Sequence, residues 1–465
     1  MSTRSRILFV TPNIVGADMA GVGMRHFEIA KALSGEFDVC LAVPKMEQEP
    51  IPGVPVRVIG NEGHLSRVVA GADVLILQGD LFRRYPSFRP PRRVPVVIDM
   101  VCPVLLEDLE GRRGERRSDG AGMTHDETLE HEDLLRMVNH LLRIGDFFLV
   151  GSERQRDLIL GMLLALSRLN PLNYRDDPQF ERLVDLVPYG LPDEPPVPEG
   201  PGPRESIPGI GRDDLLLYWG GGLWNWLDPV TVIEAMRVIA NQRADIKLLF
   251  AGTCHPDPGF PDPAVMIRAR RRATETGLAG KFVFFNSWVP YQDRASFLID
   301  ADVGVSAHRA SVETRFAVRT RILDYLWAGL PIITTEGDEA AQWVQQERLG
   351  EVVAYGDVAG WVSAILRLAK DPRSRKTCGE RARRTGASRR WSDSVRPLVR
   401  FCRRPARAAD HGARWNGRGR SLRRYGGKAI ALASEGKFRK ILEGARRLVL
   451  ERLSRSGGAS SSWRR

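Results

Sequence analysis

Three arginines stand close together between two acidic residues, Glu313 and Asp324, in the segment that ends at Pro331. The arginines are Arg315, Arg319 and Arg321. Guanidinium groups bind phosphate through paired N–H donors, and the helix predicted to follow would add free backbone N–H groups at its start. The segment therefore favours an anionic ligand, although a solvated basic loop explains a run of charges equally well.

Glycine-rich loops follow two predicted strands and could let the backbone approach such a ligand closely. The first follows Arg6–Val10 and contains Gly16, Gly21 and Gly23, while the second follows Leu215–Trp219 and contains Gly221 and Gly222. The first loop does not have the spacing of the dinucleotide-binding fingerprint. A tight strand-to-helix turn is therefore an equally good interpretation of these glycines.

Asp99 directly follows the predicted strand Val94–Ile98. In parallel α/β sheets, polar residues at the carboxyl ends of strands face the ligand crevice, so Asp99 is a candidate catalytic residue. A solvated turn aspartate is an equally good interpretation.

Neither acidic pairs nor cysteines predict a metal site. Asp300 and Asp302 form a DxD triplet, but they precede the predicted strand Val303–Ser306 and so lie away from the crevice edge. The five cysteines are scattered, with no CxxC pair, which argues against a zinc site or a disulfide framework and for a reducing compartment. We expect no metal and no other cofactor.

The elements that must position these residues alternate between strands and helices, which predicts parallel, doubly wound sheets. Seven prolines and five glycines fall within residues 190–212 and indicate an interdomain linker. The predicted organisation is a Rossmann-like domain at 1–189, the linker, a second Rossmann-like domain at 213–390, a crossover helix at 391–405, and a basic tail at 406–465.

Composition places the chain among ordinary globular proteins, with 43% hydrophobic residues and no apolar run long enough to span a bilayer. The N-terminus leads straight into a strand-like run, unlike a signal peptide, so a cytoplasmic location is expected. The net charge is +12, yet residues 401–465 alone contain 18 Lys and Arg against 4 Asp and Glu. The preceding body is therefore close to neutral, and nucleic acid is not expected as a partner.

Residues 437–453 read as a basic amphipathic helix, with an apolar face bordered by lysines and arginines. Such a helix can lie on an anionic membrane surface, which would place the protein on the inner face of the plasma membrane. A helix docked on the body or on another chain fits the pattern equally well.

The ordered set of motifs resembles the family-four glycosyltransferases of the GT-B fold. The matching stretches are the loop Gly16–Gly23, the glycines at 220–222, the segment Leu249–Gly252, the turn Trp288–Tyr291, the run Ala301–Ser306, and above all Asp324–Ile333. The last is similar to the family pattern Glu-Ala-Met-Ala-x-Gly-x-Pro-Val-Ile. The resemblance spans roughly residues 5–405 and is strongest in the second half.

The resemblance implies a retaining, metal-independent hexosyltransferase-like enzyme that uses a nucleotide-sugar donor. It implies that Asp324 binds the ribose hydroxyls and that the turn with Trp288, Val289 and Pro290 holds the base. The loop before Asp324 would hold the sugar and diphosphate, with the glycine loops closing around the donor. The acceptor would be a glycan or a lipid-linked molecule, in cell-surface polysaccharide or glycoconjugate biosynthesis.

The chain departs from the family pattern at three places. Glu313 stands eleven residues before Asp324, where the family spacing is eight and selects Phe316. The loop from Gly222 to Asp228 contains no cation, although the family has Arg and Lys there. Asp99 stands where the family often has His. We therefore expect Arg319 or Arg321 to replace the missing cations, and Asp99, Glu313, Arg319 and Arg321 to be the catalytic candidates.

Two other functions share this fold and stay open at this point. A GT-B sugar-nucleotide epimerase would usually present more acidic and histidine residues in the first-domain cleft. A non-catalytic GT-B scaffold is compatible with the missing cation pair. Hydrolysis of a sugar nucleotide by the purified protein would separate a transferase from a scaffold.

Overall fold

The protein is described by a computed structural model that covers residues 4–44, 53–79, 81–115, 124–257, 259 and 261–412. Two parallel sheets, each covered by helices, account for the region from Arg6 to Val353. This is the predicted α/β class with two Rossmann-like domains. Residues 413–465 are not described, so the predicted helix at 437–453 lies outside the part of the chain seen here.

The first sheet has seven parallel strands in the order β3-β2-β1-β4-β5-β6-β7. Its elements are β1 Arg6–Val10, α1 Gly21–Ser34, β2 Asp38–Val43, β3 Val56–Val58, α2 Glu62–Ala70, β4 Val74–Leu77, α3 Leu81–Arg84, β5 Val96–Asp99, α4 Val104–Glu115, α5 His125–Ile144, β6 Phe147–Val150, α6 Glu153–Ala165, α7 Pro171–Tyr174 and β7 Val184–Leu186. Strands β4 and β6 are buried along their whole length, as continuous apolar runs predict for a doubly covered sheet.

The second sheet has six strands in the order β10-β9-β8-β11-β12-β13. After the linker helix α8 Pro203–Ser206, its elements are β8 Leu215–Gly222, α9 Pro229–Ala240, β9 Ile246–Gly252, α10 Ala264–Glu275, β10 Val283–Phe285, α11 Arg294–Ile299, β11 Val303–Ser306, α12 Val312–Phe316, α13 Thr320–Ala328, β12 Ile332–Thr335, α14 Glu339–Gln346, β13 Gly350–Val353, α15 Val358–Lys370 and α16 Pro372–Ala387. The strand order reverses between β8 and β11, which defines the topological switch point where ligands of such sheets bind.

Several helices begin at a residue whose side chain caps them. Thr124 and Glu127 form a capping box at the start of α5, and the side chains of Ser152 and Asp228 cap α6 and α9. Helix α10 begins differently, because Pro263 occupies its N-cap position and no side chain bonds there. None of the helices in the described ranges is both long enough and apolar enough to cross a membrane.

The chain crosses between the domains twice, and the two crossings meet. Leu191 of the linker and Arg390 form a parallel bridge, with Leu191 N donating to Arg389 O at 2.6 Å and Trp391 N to Leu191 O at 2.9 Å. The predicted single crossover helix is two short helices, α17 Trp391–Ser394 and α18 Arg396–Arg403. They return to the first domain, where the ring of Phe401 stacks on that of Phe147 with their centroids 4.8 Å apart.

Candidate active site

Tyr325 fixes helix α13 over the switch point of the second sheet. Its hydroxyl oxygen lies 2.9 Å from the Gly220 amide, which donates to it, and 3.0 and 2.9 Å from the carbonyls of Tyr218 and Val305. A side chain at Gly304 would collide with the Tyr325 ring, since a Cβ there would lie 2.4 Å from it. The start of α13 is therefore held against the ends of β8 and β11.

Arg321 reaches from α13 into the loop after β8. Its Nη2 donates to the Gly222 carbonyl at 2.8 Å, and its guanidinium lies 5.0 Å from the centroid of the Trp219 ring. Nη1 is buried without a hydrogen-bond partner, and no carboxylate of the described residues lies within 4 Å of this guanidinium. Burial lowers the pKa of Arg321 to about 10, so it is still a cation at neutral pH. The Arg321 guanidinium thus lies at the loop of residues 222–228, which has no basic side chain of its own.

Arg319 lies two residues away in a different environment. It forms a two-pronged ion pair with Glu313, with both N–O distances 2.8 Å, and its Nε lies 3.6 Å from Asp338. The side chains of all three residues are at least 95% buried. Arg319 is thus neutralised within the protein, which separates it from Arg321, while Arg315 is exposed.

Asp338 and His308 extend this buried group of charges. Burial raises the pKa of Asp338 to about 6 even though Arg319 opposes the shift. Burial and the repulsion of Arg319 lower the pKa of His308 to about 3, so its ring is neutral, with Nε2 2.9 Å from the Glu336 carbonyl. The sequence did not single out either residue, because each becomes part of the site only when β11 and β12 pair.

The first domain contributes Glu107 from α4 to the same group. Burial and the Glu313 carboxylate raise the pKa of Glu107 to about 8, against the opposing effect of Arg319. Nearby, Gln155 of α6 donates to the carbonyls of Val101 at 2.6 Å and Phe316 at 2.7 Å, which fastens α12 to the first domain. The Glu313–Arg319 pair therefore lies at the interface of the two domains.

Asp324 lies one turn further along α13 than Arg321 and is about one quarter exposed. Its carboxylate is 3.7 Å from Nη1 of Arg294. Burial raises the pKa of Asp324, while Arg294 and Arg321 oppose that shift. Asp324 therefore stands between two guanidinium groups with part of its surface open to a ligand.

The turn predicted to hold the base follows β10. Asn286 Nδ2 donates to the Trp288 carbonyl at 2.7 Å, and the Thr253 amide donates to the Asn286 and Ser287 carbonyls. Trp288 is half-buried, and its Nε1 has no hydrogen-bond partner within the described part of the chain. Val289 and Tyr291 pack against the apolar core, and this packing holds the turn that contains Val289 and Pro290 in place.

The glycines of the two loops differ in how much space a side chain would have. A Cβ at Gly21 would lie 3.9 Å from Thr320 Oγ1, so the start of α1 directly faces the start of α13. A Cβ at Gly23 would lie only 2.2 Å from the Ile14 carbonyl, so Gly23 allows α1 to pack on its own loop. Gly221 has φ of +69° in open space, and Gly222 supplies the carbonyl that Arg321 contacts.

Asp99 is enclosed within the first domain. Its oxygens accept from Arg25 Nε at 2.7 Å and Arg25 Nη2 at 3.2 Å, and His26 Nε2 lies 3.4 Å away. Burial alone would raise its pKa, but Arg25 and His26 lower the pKa of Asp99 to about 2. Since its side chain is fully buried, Asp99 does not face the crevice as the strand-end argument predicted.

The DxD triplet joins the linker to the second sheet. Arg204 binds Asp300 at 3.1 Å and Asp302 at 2.6 Å, and Asp302 also accepts the Leu216 amide at 2.8 Å. Across the described residues, no three His, Cys, Asp or Glu side chains are grouped so as to hold a metal ion.

A cavity of about 600 Å³ adjoins the Arg319 side of α13. It is bounded by the ends of β6 and β7 in the first domain and by α14 in the second, with Tyr189 and Trp343 among its walls. The site thus has two sides: Arg321, Asp324 and Gly222 on one, and this cavity on the other.

Residues 214–371 match the family described as Glycosyl transferases group 1. No curated protein is detectably similar in sequence.

Solved structures share the architecture over most of the chain. Sucrose-phosphate synthase from Thermosynechococcus elongatus is 15% identical, with a TM-score of 0.59 over 86% of this chain and 98% of that one. WaaG, a glycosyltransferase of lipopolysaccharide biosynthesis, is 16% identical, with a TM-score of 0.56 over 87% and 98%. Anabaena HepE in complex with UDP-glucose is 12% identical, with a TM-score of 0.56 over 85% and 98%.

At these identities the structural likeness establishes the fold, while the family match covers the domain that contains β8 to α15. Residues 214–371 are therefore similar to the group 1 glycosyltransferases, and the chain as a whole has the GT-B fold.

Proposed function

We propose that this protein is a glycosyltransferase that takes its sugar from a nucleotide-sugar donor bound between Arg321, Asp324 and the turn at Trp288. The observation that carries the proposal is Arg321, a buried cation whose Nη1 has no hydrogen-bond partner and which has no carboxylate within ion-pair distance among the described residues. A buried charge without a partner is costly, and a diphosphate at the switch point would supply the missing anion. HepE, with the same fold, binds UDP-glucose.

In this proposal Arg321 offsets the charge that develops on the leaving diphosphate. A fixed guanidinium is suited to that task because it needs no reorganisation as the charge forms. Asp324 accepts hydrogen bonds from the ribose hydroxyls, and the backbone around Trp288 and Pro290 receives the base. The protein cation takes the role that a divalent metal has in other sugar transferases, so activity should survive excess EDTA.

The acceptor is proposed to be a glycan or a lipid-linked glycan that enters through the cavity beside Arg319. That cavity combines aromatic walls, Tyr189 and Trp343, with polar groups, a mixture that suits sugar rings. We also propose that transfer proceeds with retention of the anomeric configuration and serves cell-surface glycan synthesis.

A thermal-shift panel of UDP-, GDP- and ADP-sugars tests donor binding. A ligand at 100 times its dissociation constant adds about 2.7 kcal/mol to stability, which a melting curve resolves easily. Proton NMR of the reaction then assigns the outcome: release of nucleoside diphosphate, with a transferred sugar whose anomeric configuration is the same as in the donor, supports the proposal. Conversion to an isomeric sugar nucleotide would indicate an epimerase, and binding without turnover would indicate a scaffold.

A further inference from the structure

Arg294, the first residue of α11, is enclosed by side chains from both domains. Its guanidinium lies 4.8 Å from the centroid of the Tyr291 ring and 5.0 Å from that of Trp327. Nη1 donates to Sδ of Met24 in α1 and is also the atom 3.7 Å from Asp324. The side chain is only 12% exposed, and Nε is buried without a partner. Two aromatic rings therefore hold this cation beside the carboxylate proposed to bind ribose.

Tyr291 connects this guanidinium to the first domain. Its amide donates to the carbonyl of Ala17 at 2.7 Å, in the loop before α1. Its hydroxyl donates to the carboxylate of Glu28, which is buried on α1. Its ring meets Phe27 edge-on at 5.9 Å. Through these three contacts, Tyr291 joins the turn at residues 286–291 to α1 and to the loop before it. The ring of Tyr291 also supports the Arg294 guanidinium.

Charge balance indicates what Arg294 does. A carboxylate that accepts two ribose hydroxyls must be ionised and correctly turned, but burial raises the pKa of Asp324. Arg294 opposes that shift more strongly than Arg321 does. At 3.7 Å the pair is close enough for attraction yet leaves the carboxylate free to bind a ligand. A guanidinium stacked between two rings can be held at such a distance, whereas a lysine ammonium has no planar face to stack.

We propose that Arg294 is a positioning residue that holds the Asp324 carboxylate for the ribose hydroxyls of the donor. Tyr291 and Trp327 fix its guanidinium, and the contact of Tyr291 with Glu28 joins the turn at residues 286–291 to α1. The proposal rests on the proposed donor site, since it assigns a role to Arg294 through Asp324.

The test compares ribose recognition with overall binding. Calorimetry measures the affinities of the best-binding nucleoside diphosphate from the UDP, GDP and ADP set and of its 2′-deoxy counterpart. Wild type should prefer the ribose form. Arg294→Met should weaken the ribose form about tenfold while changing the deoxy form little, because charge-assisted hydrogen bonds to ribose are what it loses. Asp324→Asn should abolish the preference, and Arg294→Met should then have no further effect on it.

Two variants control for structural damage. Tyr291→Phe keeps the ring under Arg294 but removes the bond to Glu28, so it should weaken both nucleotides equally and preserve their ratio. Arg271→Met, on the exposed face of α10, should change neither. If Arg294→Met does not fold, Arg294→Lys keeps the charge but loses the planar stacking surface, and should lower the ratio partly.

The outcomes separate the two proposals. A wild-type protein that binds none of these nucleotides would overturn the donor site itself. A wild type that prefers ribose, together with Arg294 variants that retain the full preference, would overturn only the role of Arg294.

Discussion

The guanidinium of Arg321 and the carbonyl of Gly222 are joined by a 2.8 Å hydrogen bond. A cation carried by α13 thereby enters the loop after β8, in which residues 222–228 contain no basic side chain. In this chain the positive charge at the switch point comes from a different element than the family pattern implies.

Arg321→Met should therefore weaken nucleoside diphosphate binding by about 10- to 100-fold, the range expected when a charge-assisted contact of ~1.5–3 kcal/mol is removed. The matched control is Arg315→Met, an exposed arginine of the same segment, which should bind normally. Titration calorimetry measures both. Equal affinities in wild type and Arg321→Met would exclude Arg321 as the phosphate-binding cation.

Replacing Arg319 should affect folding stability more than ligand binding, because Glu313 and Asp338 already balance its charge. Arg319→Met leaves Glu313 and Asp338 buried without their cation, which typically costs about 3–5 kcal/mol of folding free energy. Urea denaturation should therefore show a large loss of stability for Arg319→Met and a small one for Arg321→Met. Similar stabilities for the two variants would contradict the separation of their roles.

Glu107 should make stability depend on pH. Its folded-state pKa of about 8 lies above the ordinary value of 4.5, so the folded state holds an extra proton between those values. The contribution of Glu107 to the free energy of unfolding is therefore fully present below about pH 4.5, and it is lost as the pH rises towards 8.

The variant Glu107→Gln copies the neutral acid and should remove this dependence. It should match wild type at pH 5 and be more stable at pH 8.5, by about 1–2 kcal/mol because the side chain is only half-buried. Denaturation at both pH values measures the difference. A variant that is less stable than wild type at pH 8.5 would show that the Glu107 carboxylate is favourable there.

Asp99 should matter for folding more than for chemistry. Asp99→Asn leaves Arg25 buried without a counter-charge, so we expect a loss of about 3–5 kcal/mol in unfolding free energy. Activity per folded molecule at low temperature should stay near wild type. A stable variant without activity would restore Asp99 as a catalytic residue.

Two glycines of the first loop form a matched pair. Gly23→Ala should destabilise the protein by about 1–3 kcal/mol, since its Cβ would overlap the Ile14 carbonyl. Gly21→Ala meets only ordinary contact with Thr320 and should keep its stability. Melting curves of the two variants test whether steric contact alone accounts for the difference in their stability.

Regular periodicity made most strands predictable. Val74–Leu77 and Phe147–Val150 are continuous apolar runs, which predict doubly covered strands, and the β-branched run Ile332–Thr335 also predicts a strand. The edge strands β7 and β13 were not predicted, since Val184–Leu186 and Gly350–Val353 are short and carry acidic residues. Helix α4 was missed as well, although Pro103 stands just before its start, where proline is common.

The site was harder to predict because its charges are paired across distant elements. The sequence placed Arg319 and Arg321 together, but only the fold shows that Glu313 neutralises one and that Gly222 receives the other. Glu107 and Arg294 carried no local signal, since each is defined by a neighbour in the other domain or another helix. The roles of Asp324, Trp288, Val289 and Pro290 stay predictions until ligand binding is measured.

The return of the chain to the first domain has a consequence for how the protein can be divided. Trp391, Val395, Leu398 and Cys402 are buried in the same apolar core as Phe147. A fragment cut at the linker would therefore lack part of its own interior, although all seven of its strands would be present. The two halves should be recoverable as a complementing pair of polypeptides, with residues 391–403 supplied by the second, and a truncation before Trp391 should expose apolar surface on the first.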